Sequence, residues 1–165
     1  QVKRDERINE LEFDFGIAPF ATKEIESLSR LGHPLMVRSH DELEGIMNGK
    51  IDLFFMQNDC YYILDWKSNH LGYQITDYDE RGVLQAMTDN NYHLQYTIYT
   101  LALKKFLETR LSNFDYDQHF GGVVYLFLRG VRKTGNTGIF YHKPDLEQIL
   151  ALEKIYLQGS KQPLT

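Results

Sequence analysis

Two short apolar, β-prone runs, each carrying one aspartate, constrain this chain more than any other feature. They lie in Gly49 to Leu71, GKIDLFFMQNDCYYILDWKSNHL. The first run, IDLFFM, holds Asp52. The second, YYILDWK, holds Asp65 and, two residues on, Lys67. Between them Gln57-Asn58-Asp59 is a polar turn signal, so the segment reads as a β-hairpin with arms 50–56 and 60–66. Side chains alternate along a strand, so Asp65 and Lys67 share a face and Trp66 points the other way. Two acids and an amine on one face are costly unless a cation sits between the carboxylates. The rest of the chain reads as a scaffold for that face.

Before the hairpin, residues 1–9 are polar and read as a frayed or helical lead-in. ELEFDFGI (Glu10 to Ile17) alternates apolar with acidic or small residues, as a strand with one wet face does. Thr22 is placed to cap a short helix that Gly32 stops. Ser39 or Asp41 is placed to cap a single helical turn, DELEGIM. After the hairpin, 68–79 reads as a polar loop and about 79–88 as a weak helix. A long helix, 92–111, carries apolar residues at spacings of three and four on two faces, so it is expected to be central and buried. NFDYDQHFGG is a loop. VVYLFL (Val123 to Leu128) is apolar on both faces, as a central strand is. KTGNTG is a turn, IFYH a short strand, and Pro144 opens a last helix. The order β-α-ββ-αα-β-β-α predicts an α/β fold with a mixed sheet flanked by helices.

Composition narrows the function classes. The 165 residues, 42% of them hydrophobic, suffice for one domain with a real core, expected to span 1–165. A net charge of −5 argues against a general polyanion binder. It leaves a nuclease open, because a site built from acids is inverted by the cations it holds. The one cysteine, Cys60, excludes an internal disulfide and a four-cysteine zinc or iron–sulfur site within the chain, and fits a reducing cytoplasmic setting. No apolar run is long enough to span a membrane. No phosphate-binding loop of the GxxxxGK[ST] type is present, so ATP hydrolysis by that route is not expected of this chain.

On the residues alone, Asp52, Asp65 and Lys67 support two readings. Close carboxylates suit Mg²⁺ or Mn²⁺, which prefer oxygen ligands; such a cation polarises a phosphoryl oxygen and activates water. A neighbouring lysine then holds water or stabilises developing charge, and the chemistry is phosphodiester hydrolysis. The alternative is an exposed hairpin whose Asp65 and Lys67 merely pair on a wet face, worth roughly 0–1 kcal/mol.

Four landmarks occur in order between about Gly45 and Arg129: GKIDLFF, YYILDWKSNHLG, Gln95-x-x-x-Tyr99 in LQYTIYTLAL, and HFGGVVYLFLRG. In this order they resemble the C-terminal nuclease domain of the RecB (exodeoxyribonuclease V beta subunit) family, a branch of the PD-(D/E)XK restriction-endonuclease-like superfamily. The resemblance implies a restriction-endonuclease-like core and a Mg²⁺-dependent deoxyribonuclease, with Mn²⁺ as a substitute. It implies that Asp52 and Asp65 are metal ligands, that the Trp66 backbone carbonyl is a third, and that Lys67 is the catalytic lysine. Gln95 and Tyr99 match a motif whose side chains lie near the site and the DNA strand. The implied partners are DNA, a helicase portion of the same parent chain and RecC/RecD-like subunits, acting on double-strand ends for recombination and repair.

Trp66 stands where the family carries a tyrosine, and with its side chain turned from the metal little effect is expected. The family's upstream histidine ligand has no match: His33 and His40 lie in the wrong context. With Gln rather than Met at its start, the chain is expected to be part of a larger helicase–nuclease, with that ligand on a helix before residue 1. The alternative function is an inactive nuclease-fold scaffold for DNA guiding or subunit docking. Other residues have plain readings: the stripe Tyr92, Tyr96, Tyr99 and Phe106 as core rather than a base-stacking platform, Arg129 as a surface ion pair rather than a phosphate contact. Lys104, Lys105 and Arg110 read as a solvated face.

Overall fold

The computed structural model describes residues 7–37 and 42–158. Five strands, β1 (Arg7–Ala21), β2 (Glu42–Gln57), β3 (Cys60–Lys67), β4 (Phe120–Phe127) and β5 (Ile139–His142), follow one another in a single sheet in chain order. β2 and β3 pair antiparallel, β3 and β4 parallel, β4 and β5 antiparallel. A parallel pair needs a long crossover. Here the intervening chain holds α2 (Glu80–Asp89), α3 (Tyr92–Arg110) and α4 (Tyr116–His119). α1 (Thr22–Ser27) and α5 (Leu146–Gln158) complete the helices, and helices with a mixed sheet make the α/β, restriction-endonuclease-like class expected from the sequence.

Two compact units are resolved within the chain. One comprises residues up to Leu11, Ile51–Tyr92 and Asn113–Lys143; the other comprises Glu12–Lys50, His93–Ser112 and residues from Pro144 onward.

The first unit is built on the hairpin. Gln57 pairs with Cys60, leaving Asn58 and Asp59 as a two-residue loop with φ of 52° and 61°. Both central residues at positive φ mark the turn whose twist matches that of paired strands, and asparagine and aspartate tolerate it best after glycine. In β3, Ile63, Asp65 and Lys67 are buried while Trp66 is exposed. In β4, Val123, Tyr125 and Phe127 are fully buried. α2 begins at Asp79, whose Oδ1 accepts the Gly82 amide at 2.8 Å, and it buries Val83, Ala86 and Met87. α4 lies inside the stretch expected to be loop; Asp115 caps it by accepting from Gln118 N.

The second unit packs α1 and α5 with most of β1 and α3. Along β1, Phe13, Phe15 and Ile17 are half-buried and Glu12, Asp14 and Gly16 exposed, so the alternation holds, although the strand runs well past both expected ends. Tyr156 of α5 takes Phe20 and Phe15 at ring distances of 5.4 and 5.9 Å. α3 buries residues around most of its circumference, as its two apolar faces required.

Three expectations need correction. The turn expected in DELEGIM is instead the start of β2, from Glu42. Its glycines disfavour a helix, and Gly49 admits the Phe13 ring, which would lie 2.5 Å from any Cβ there. Ser39 and Asp41, like His40 and residues 1–6, lie outside the described residues. Thr22 does not cap α1: Ala21 holds that position, and Thr22 is the buried first residue of the helix. Lys104 is not on a solvated face. It is 7% exposed, with Nζ at 2.8 Å from Glu108 and 3.0 Å from Glu153. Hydropathy cannot see such a residue, because the apolar stem is buried and the partners come from other turns and helices.

Candidate active site

The site residues in the first unit are brought together by strand register. β2 and β3 pair as Phe54 with Ile63 and Leu53 with Leu64, so Asp52 and Asp65 are the next residues outward on the face of Phe54 and Ile63. Asp52 is tied to β3: its Oδ2 accepts the Trp66 backbone amide at 3.1 Å. On the other side β4 pairs Asp65 with Tyr125 and Lys67 with Phe127. That face is covered. Asp65 is 3% exposed and Lys67 9%. The wet-face alternative for this pair therefore does not hold.

Lys67 Nζ lies 2.7 Å from Asp65 Oδ2. It also sits 4.0 Å from the centroid of the Tyr92 ring and 5.0 Å from that of Tyr125. An ammonium leaving water recovers part of its lost hydration from one carboxylate and two aromatic faces. Tyr92 is itself anchored, its hydroxyl donating to Asn69 Oδ1 at 3.0 Å and its ring packing on Tyr125 and Phe127. The backbone closes the corner: Leu128 N donates to the Lys67 carbonyl at 2.9 Å.

Burial pushes the Asp65 carboxyl above its ordinary range; Lys67 opposes this through a hydrogen bond and its charge, and the Asp52 charge adds to the rise. Two carboxylates within electrostatic reach, one of them disfavoured as an anion, form a site that favours a cation. Apart from the ion pair with Lys67, Asp65 Oδ2 has no hydrogen-bond partner. The oxygen donors fit a hard divalent ion in kind. They are few in number: among the described residues no group of three or more His, Cys, Asp and Glu side chains stands together. The fit is therefore that of a partial site, in which the Asp52 and Asp65 carboxylates are the oxygen donors that strand register brings together.

Gln95 and Tyr99 belong to the second unit. Gln95 Nε2 donates to the Tyr99 hydroxyl at 3.1 Å, one helical turn away, and the Tyr99 ring meets Phe13 edge-on at 5.8 Å. His33 stacks on the buried His93 at 4.5 Å, in the same unit. Trp66 is 45% exposed, on the face opposite Asp65 and Lys67, as the strand alternation required.

Sequence reasoning missed the two tyrosines around Lys67. The sequence marks Tyr92 only as core, and Tyr125 only as part of an apolar strand. The signal that could have found Tyr125 is phase: it shares the alternation of Val123 and Phe127, and register sets it beside Asp65. No such signal exists for Tyr92, which arrives from a helix distant in sequence. Arg129 makes a backbone contact rather than the expected ion pair, its Nε donating to the Ser68 carbonyl at 3.1 Å.

No family model matches the chain. Among curated proteins, the RecBCD enzyme subunit RecB of Haemophilus influenzae is 36% identical over 144 residues, covering 82% of this chain and 12% of that protein. The subunit of the same name from Escherichia coli is 37% identical over 153 residues, covering 89% of this chain and 13% of its own length. That from Borreliella burgdorferi is 32% identical over 168 residues, covering 97% of this chain and 14% of its own length. The chain thus spans about one eighth of the length of the relatives it matches. With its landmarks in order on three strands and α3, and with such relatives across most of its length, the chain belongs to the RecB family.

Proposed function

We propose that this segment is a divalent-metal-dependent deoxyribonuclease module of a RecBCD-type helicase–nuclease, hydrolysing phosphodiester bonds as double-strand ends are processed for recombination and repair. The observation that carries the proposal is the covered Asp65–Lys67 pair beside Asp52. A buried ion pair adds little to stability, so a chain that holds one at a strand end, facing a second carboxylate, has another use for it.

In this reading Asp52, Asp65 and the Trp66 carbonyl hold Mg²⁺, or Mn²⁺ in its place. Bound there, the cation supplies Lewis acidity toward a phosphoryl oxygen. Lys67 presents an ammonium whose position is set by Asp65, Tyr92 and Tyr125. It donates toward the attacking water or the charge that develops on the phosphoryl group, in surroundings that exclude bulk water. Trp66 N fixes the Asp52 carboxylate. Gln95 and Tyr99 are assigned to the DNA strand through the family motif. The RecC- and RecD-like subunits and the helicase portion of a parent chain are assigned as partners through the relatives' names.

A digest of linear duplex and single-stranded DNA with Mg²⁺ or Mn²⁺, comparing the protein with D65A and K67A, tests this. Cleavage lost in both variants is expected. Equal cleavage by all three proteins removes these residues from the reaction.

A second reading, a nuclease-fold scaffold that guides DNA or docks a subunit without cutting, draws on the small ligand number at the site. Calorimetry with Mn²⁺ separates the two. Binding that D65A weakens by at least about tenfold supports the nuclease; no Mn²⁺ binding, even in a chain extended at its N-terminus, favours the scaffold.

A further inference from the structure

The site above leaves one feature of the first unit unused. Tyr73 is 94% exposed, the most exposed of the large hydrophobic side chains described. A single exposed aromatic residue on a loose loop means little. This one is displayed by a turn that is tied down. Gln74 N donates to Asp77 Oδ2 at 2.8 Å, Asp77 N donates to the Gln74 carbonyl at 3.0 Å, and Leu71 N donates to the Tyr78 hydroxyl at 3.2 Å. His70 meets the Tyr73 ring edge-on, with centroids 4.8 Å apart.

Two cations of an otherwise acidic chain face the same space. A cavity of about 240 Å³ is lined by His70, Tyr73, Arg129 and Arg132, among others. Their backbone is held against the turn. Any Cβ at Gly130 would lie 2.4 Å from the Tyr78 side chain, so only glycine lets the turn that carries Arg129 approach this closely. Arg129 uses Nε on the Ser68 carbonyl, and Arg132 uses Nη1 on the carbonyls of Arg129 and Val131. Each guanidinium therefore retains further N–H donors for a ligand oxygen. Ser68 directly follows Lys67, so Arg129 is bonded to the residue next to the chain end of the proposed catalytic strand.

An exposed ring on a tied-down turn, beside two guanidinium groups, matches a single-stranded nucleic acid, which offers a flat base and a flanking phosphate. We propose that Tyr73, Arg129 and Arg132 form a subsite for one nucleotide of a single DNA strand, adjacent to the scissile position. The base stacks on Tyr73, and the arginines hold the neighbouring phosphate. The choice of DNA as the strand rests on the proposed function; the subsite itself rests on the turn, the ring and the two cations.

The test uses a fluorescein-labelled single-stranded oligonucleotide carrying 5-iodouracil, with EDTA present so that no cleavage intervenes. Anisotropy gives affinity, and photocrosslinking followed by peptide mass spectrometry gives position. Y73A is expected to weaken binding on the order of tenfold, with Y73W restoring it. R132A is expected to lower the slope of log affinity against log salt by about 1. The crosslink is expected at Tyr73. Tyr73 is exposed, so Y73A retains its fold, checked by circular dichroism. Unchanged affinity in Y73A with crosslinks elsewhere overturns the subsite, and so does the absence of oligonucleotide binding. The D65A and K67A digest is read separately, so loss of the subsite leaves the nuclease assignment standing, and the reverse holds too.

Discussion

The Lys67 ammonium lies over the face of the Tyr92 ring, 4.0 Å from its centroid. The two residues are far apart in sequence, and Tyr92 is held there by Asn69, two residues beyond Lys67. One ends β3, and the other begins α3. The contact defines Tyr92 as a positioning residue for Lys67, acting through the electron-rich ring face rather than through its hydroxyl, which is engaged with Asn69.

Replacing that face should therefore matter more than removing the hydroxyl. Y92L is expected to lower the DNA cleavage rate about 3- to 30-fold, the equivalent of a cation–π contact of ~0.5–2 kcal/mol, with KM little changed. Y92F is expected to stay close to the parent protein. Proton NMR gives a second readout: the ring should shift the Lys67 ε-methylene signal upfield in the parent protein and in Y92F, and less in Y92L, where only the Tyr125 ring remains. A signal at the ordinary lysine position in all three would sever the link.

In the second unit, Glu153 receives Lys104 and Lys105 at 3.0 and 2.9 Å. Burial works against its ionisation, but the two lysines outweigh burial and hold its carboxyl below the ordinary range. For Lys104, burial works against the charge, and the bonds and charges of Glu108 and Glu153 outweigh it, raising the ammonium. A lowered carboxyl contributes stability that is present above its ordinary value of 4.5 and lost as pH falls through its folded value. A raised lysine contributes stability that is present below 10.5 and lost as pH rises through its folded value. The network should thus be at full strength across the neutral range. E153Q is expected to cost about 2 kcal/mol in urea unfolding, since Lys104 keeps Glu108 but loses its second partner. That cost should be flat between about pH 6 and about pH 9 and shrink in acid. A cost that is absent, or unchanged at low pH, would show that the network does not act as described.

The hairpin that carries both aspartates turns on Asn58 and Asp59, at φ of 52° and 61°. Glycine adopts this conformation without the steric penalty of a Cβ. D59G is expected to raise stability by about 0.5 kcal/mol, after subtracting the extra freedom glycine has when unfolded. D59V, with a branched Cβ, should lower it by at least about 1 kcal/mol. Denaturant midpoints check both, and a D59V as stable as the parent protein would rule out this turn geometry.

By itself, the sequence determined the hairpin, its turn, the phase of Asp65 against Trp66, the long buried helix and the order of the sheet's elements. These follow from local chemistry: alternation, turn residues and periodicity are properties of neighbouring residues. The family resemblance rests on the same residues read in order. Tertiary structure decided the rest. It made the strand face bearing Asp65 and Lys67 a covered one, which no alternation of polar and apolar residues predicts when the buried positions are charged. It buried Lys104 for the same kind of reason, and it drew DELEGIM into β2 because a strand can be completed by a partner where a glycine-bearing helical turn has none. It also brought Tyr92 and Tyr125 to Lys67 from a helix and a strand. A buried charge is legible only through its partners, and partners distant along the chain are set by register and packing.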